Sequence, residues 1–129
     1  MKLTGKQYGI VLLVVITAIL HLAAAFDKVL FPESPDPLFI LNGLGYFGLL
    51  GAYFLPIQFF QSRHKLVWSG LFGYTALTIV AWFLIWVVQY VIIRGEPFFG
   101  HDSIYGVPSK IAEVVILGLL WTEKPKSSV

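Results

Sequence analysis

Apolar residues along this chain fall in four long blocks separated by short polar stretches. The first block runs from about Tyr8 to Phe26 and the second from about Leu38 to Phe54, where Pro56 stops it. The third extends from about Val67 to Ile93 and the fourth from about Ile104 to Trp121. Blocks close to the roughly 20 residues that cross a hydrocarbon core read as membrane-spanning helices. The predicted fold is therefore an all-α integral membrane protein, a four-transmembrane-helix bundle that forms one domain over residues 1–129. Pro108 suits a first helical turn, where its missing N–H costs nothing. Lys2, Lys6 and the run Ala23 to Phe26 also resemble a cleavable secretory signal; retention as a first helix is the reading carried forward.

Charge orients the helices, because Lys and Arg are retained on the cytoplasmic side. With four crossings, Lys2, Lys6, Arg63, Lys65, Lys124 and Lys126 share one side with a single acid, Glu123. The other side holds Lys28, Arg94 and Lys110 against Asp27, Glu33, Asp36, Glu96, Asp102 and Glu113. Both termini are expected in the cytoplasm. The expected location is the plasma (inner) membrane of a prokaryote. The pattern is similar to that of small four-helix prokaryotic membrane proteins, a resemblance that supports the architecture and assigns no residue a role.

Composition agrees with the pattern: 57% of residues are hydrophobic, 12% are charged, and mean hydropathy is +0.80, against about 25% charged in soluble domains. The absence of cysteine excludes disulfides, thiolate metal sites and c-type haem attachment. A net charge of +2 gives no footprint for nucleic acid.

Helices in lipid associate through small residues and interhelical hydrogen bonds. Gly45, Gly48 and Ala52 form one small-residue face, and Gly70, Gly73 and Ala76 another. Composition alone also accounts for them, since glycine is common in membrane helices. A stripe at Thr75, Thr78, Trp82, Ile85 and Gln89 has the period of a helix face turned to the bundle interior. For the threonines the expected role is structural, with hydroxyls returned to their own helix. Trp68, Trp121, Tyr8 and Tyr90 lie near block ends, where aromatic belts form.

Polar residues converge on one leaflet. His21 lies roughly 7 to 10 Å inside the outer end of its block, at about 1.5 Å per residue. Asn42 lies about one turn below the outer surface and Tyr46 one turn deeper. Gln89, Lys110 and Glu113 occupy the same outer half. Lys110 can snorkel to the interface, whereas Glu113 is too short and must be neutralised or paired. Lys110 is its nearest candidate partner. His21 and Glu113 are expected to share one cavity, since intramembrane ionisable residues usually face the bundle interior.

These residues specify little chemistry. His101, Asp102 and Ser103 are adjacent in sequence, and a catalytic triad is assembled in space. His21, His101, Asp102 and Glu113 could ligate zinc only if the outer loop folded inward. The expectation is accordingly no catalytic residues, no cofactor and no metal. The leading functional expectation is a non-catalytic accessory or assembly-forming subunit whose partners are the bilayer and either other membrane subunits or further copies of itself. The alternative is a binder or transporter of a small ligand, lipid or proton, using His21, Asn42, Tyr46, Gln89, Lys110 and Glu113.

Overall fold

The computed structural model describes residues 3–100 and 103–125, and all of its regular structure is helical. Helix α1 spans Gly5–Ala25, α2 spans Pro37–Phe54, α3 is a single turn at Gln58–Gln61, α4 spans His64–Trp82 and α5 spans Ser103–Thr122. α4 continues without a break into a π-helical segment, Phe83–Ile93. Four of these helices, counting α4 and the π segment as one, are long and apolar enough to cross a membrane. They coincide with the four apolar blocks.

Local signals account for the starts of the first two. Thr4 accepts from the Gln7 amide at 3.2 Å while the Gln7 side chain accepts from the Thr4 amide at 3.0 Å, a reciprocal cap that satisfies two otherwise unpaired donors. Asp36 caps α2 through the Phe39 amide at 3.3 Å, followed by Pro37 in the first turn. The fourth helix starts at Ser103, earlier than Pro108 alone suggests, so the proline sits in its second turn and offers no amide to the Ile104 carbonyl.

The helices form a closed ring. α1 packs on α2 and α5, and α4 packs on the other sides of α2 and α5, so α2 and α5 stand diagonally opposite. No α2 Cα lies within 8 Å of an α5 Cα. Ile10, Val14 and Ala18 from α1 meet Tyr46 and Tyr53 from α2, Trp68 and Leu71 from α4, and Ile116 and Leu120 from α5 in the apolar core. That core fills the half of the bundle nearest the termini. There Gln7 also donates to Glu123 at 3.0 Å, with Lys6 at 3.9 Å from the same carboxylate, tying α1 to the end of α5.

Close approach matches the two stripes only in part. A methyl at Gly43 would lie 2.9 Å from the Ala18 carbonyl, and one at Gly45 would strike the Tyr74 ring. Gly48 and Gly73 face open space, and Gly70 has only Leu49 at ordinary contact distance. Trp68 departs from the belt expectation too. α4 begins at His64, which turns Trp68 inward to donate its indole N–H to the Leu120 carbonyl at 2.7 Å. Tyr8 and Trp121 are exposed.

Candidate functional site

The half of the bundle away from the termini, here the distal half, is hollow. In the π segment, amides bond five residues back, as Arg94 does to the Gln89 carbonyl at 3.1 Å. Such helices are rare and occur frequently at functional sites. No Cα of this segment comes within 8 Å of any helix other than α4. Beside it lies a cavity of about 570 Å³ bounded by α1, α2, the end of α4 with the π segment, and α5. Its volume falls within the ~300–1,000 Å³ of small-molecule sites.

The inner end of the cavity is polar. Lys110, Ser109, His21, Asn42 and Thr78 line it. Lys110 is 8% exposed and donates to Glu113 at 2.5 Å; Glu113 is fully buried just behind it. The other Glu113 oxygen accepts from the Tyr46 hydroxyl. Lys110 thus finds its counter-ion on its own helix, three residues on, and the side chain lies along the cavity wall rather than snorkelling away. Its Nζ is 6.0 Å from the Trp82 ring centroid.

His21 is 6% exposed, and its Nδ1 lies 2.8 Å from the Thr17 carbonyl. A carbonyl only accepts, so Nδ1 carries the proton, and in the neutral ring Nε2 is the acceptor. The ring sits 5.9 Å from those of both Tyr46 and Phe39. His21 and Glu113 are therefore linked through Tyr46 rather than paired directly, and Glu113 lies behind the cavity wall. The backbone and side-chain oxygens of Asn42 both face the Tyr74 hydroxyl, at 2.7 and 3.3 Å. Thr75 and Thr78 return their hydroxyls to carbonyls four residues earlier, at 2.8 and 2.9 Å.

The side walls are aromatic and aliphatic, with Trp82, Ile85, Trp86 and Tyr90 on one side and Leu20, Ala24 and Leu38 on the other. Asp36, Glu96 and Tyr105 lie on the remaining lining, and Tyr105 donates to Asp27 at the end of α1. The 94–100 connection folds back, with Phe98 edge-on to Trp82 at 6.1 Å.

Of the six residues singled out from sequence, His21, Asn42 and Lys110 line the cavity, and Tyr46 and Glu113 form the hydrogen-bonded support behind it. Gln89 is exposed and does not join them. Trp86, Tyr105 and Ser109 were not singled out. Aromatic density marked the first two only in general terms, and nothing local marked Ser109. His101 and Asp102 lie outside the described residues. Among the described residues no three His, Asp or Glu side chains come together as metal ligands would.

Compared with known proteins, the chain matches no family model, no curated protein and no solved structure.

Proposed function

We propose that this chain is a four-span membrane protein with both termini in the cytoplasm of a prokaryotic cell, and that it binds a small amphipathic molecule in the distal cavity, within the outer leaflet. The observation that carries the binding reading is the buried polar end, Lys110 with His21, closing an otherwise aromatic and aliphatic cavity. A scaffold contact between Tyr46 and Glu113 gives no reason to place a lysine on the cavity wall, where such a charge near a helix centre costs about 2.5–3.5 kcal/mol. Binding sites need this combination: apolar walls for affinity and a few convergent polar groups for orientation. The six-to-one basic excess beside the termini supports the orientation.

Assembly with other membrane subunits, or self-association, is the second reading. Its support is the exposed apolar row Leu77, Val80, Phe83 and Leu84 on the third long helix, a surface that lipid also covers.

The binding reading is tested by purifying the protein from the membranes that express it and analysing co-purifying small molecules by mass spectrometry. Ala81→Trp places bulk on the cavity wall. An amphiphile retained by the parent and lost in Ala81→Trp is expected. Equal content in the two proteins would remove the cavity as the binding site.

A further inference from the structure

Resting on the cavity as a binding site, we infer that the head group it receives is neutral, planar and carbonyl-bearing, the chemistry of an isoprenoid quinone. The argument begins with charge. Among the described residues Lys110 is the sole cation lining the cavity, and Glu113 at 2.5 Å already compensates it. The other charged groups among the described lining residues, Asp36 and Glu96, are both acidic. An anionic head such as a fatty-acid carboxylate would compete with Glu113 for Lys110 and face two further carboxylates. A cationic head seated at the polar inner end would lie against the Lys110 ammonium. Desolvating an uncompensated charge at either place is costly.

Hydrogen-bonding capacity narrows the head further. Among the described residues Glu113 is the only acceptor for the Lys110 ammonium, so two of its three N–H groups are left for the cavity. The Asn42 amide uses its oxygen toward Tyr74 and offers its NH₂. His21 supplies one acceptor, Nε2. Donors on α5 and α2 with an acceptor on α1 suit a ring whose carbonyl accepts from Lys110 or Asn42. In the reduced form of that ring a hydroxyl can donate to His21. The indoles of Trp82 and Trp86 on the lining suit a planar ring better than a flexible headgroup. The opening beside the π segment gives an apolar tail a way out into the surrounding lipid.

The test compares three probes with matched ten-carbon tails: a decyl-substituted benzoquinone, decanoate and decyltrimethylammonium. Each is titrated calorimetrically into the protein in nanodiscs of zwitterionic lipid, with empty discs as the blank. Saturable binding of the quinone, with the two ions about tenfold weaker or more, is expected from the loss of one charge-assisted hydrogen bond. Glu113→Gln uncovers the Lys110 charge and should reverse the order in favour of decanoate, a change that lost packing alone does not produce. The parent protein's selectivity needs no variant to fold. Decanoate or the ammonium binding the parent as well as the quinone would overturn the inference while leaving the cavity reading intact. Saturable binding of none of the three would overturn it as well, and co-purification with its loss in Ala81→Trp then decides the cavity reading separately.

Discussion

Tyr46 and Glu113 connect two helices whose backbones do not approach each other. α2 and α5 are diagonal in the ring, with no Cα pair within 8 Å, yet the Tyr46 phenol reaches across to donate to the Glu113 carboxylate. Both side chains are fully buried. The bond crosses the level at which the filled half of the bundle gives way to the hollow half. It therefore fixes the width of the cavity floor, and Lys110 rests on it.

Breaking a buried pair by removing one member strands the other, at about 3–5 kcal/mol. Glu113→Ala is expected to destabilise the protein by about that much. Lys110→Met combined with Glu113→Leu removes both charges and should cost less than the sum of the single changes. Unfolding free energies in detergent, arranged as a double-mutant cycle, check this; strict additivity would show that the two residues do not interact.

Tyr46→Phe removes a hydrogen bond to a charged group, an expected loss of about 1.5–3 kcal/mol, whereas Tyr74→Phe removes neutral bonds to Asn42, an expected loss of about 1 kcal/mol. The same unfolding measurement ranks them. A larger loss for Tyr74→Phe would move the structural weight from Glu113 to Asn42.

Gly43→Ala forces a methyl to 2.9 Å from the Ala18 carbonyl and 2.7 Å from the Leu22 side chain. Backbone cannot yield there without separating α1 from α2, so a loss of about 1–3 kcal/mol is expected. Gly48→Ala and Gly73→Ala meet nothing within 4 Å and should be neutral or gain up to about 1 kcal/mol of helix propensity. Melting temperatures of the three variants should separate Gly43→Ala from the other two.

In the proposed membrane arrangement, reporter fusions at Gln61 and after the last residue should both report cytoplasm, and a fusion between Gly95 and Gly100 should report the outside. Opposite reports from Gln61 and the C-terminus would refute an even number of crossings between them.

Sequence periodicity located the four long helices because each apolar block is long and bounded by polar or proline-containing stretches. It placed His21, Asn42, Tyr46, Lys110 and Glu113 at one end because helical rise converts residue number into depth. Partner choice was less legible. Depth says nothing about rotation around the helix axis, so it could not show that Tyr46 packs near the His21 ring and donates to Glu113, nor that Glu113 stays off the cavity lining. Gln89 shows a second limit. Spacings of three and four put it on the face of Trp82 and Ile85 in an α-helix, but five-back bonding shrinks the angular step per residue. Tyr90 then takes the place on the cavity wall, and Gln89 turns out. No residue in the run Phe83 to Ile93 announces that change. The small-residue stripes were legible only in part, since Gly45 does meet Tyr74 while Gly48 and Gly73 meet nothing within 4 Å: spacing identifies a face without saying which neighbour it meets.

The third long helix, His64–Ile93, has 30 residues, whereas its neighbours have 18 to 21. At about 1.5 Å per residue its 19-residue α-helical part alone is some 28 Å long, and the 11-residue π segment carries it past a hydrocarbon core of about 30 Å. A span that exceeds its surroundings relieves the mismatch chiefly by tilting. In the proposed membrane arrangement the other three helices are short enough to stand nearly upright, and tilt of the third would separate it from them at one end, where the π segment stands clear. The thickness of the lipid bilayer would thereby control the site. Long-chain lipids should stand the helix up, narrow the opening and weaken binding, while short-chain lipids should lean it further and widen the way in.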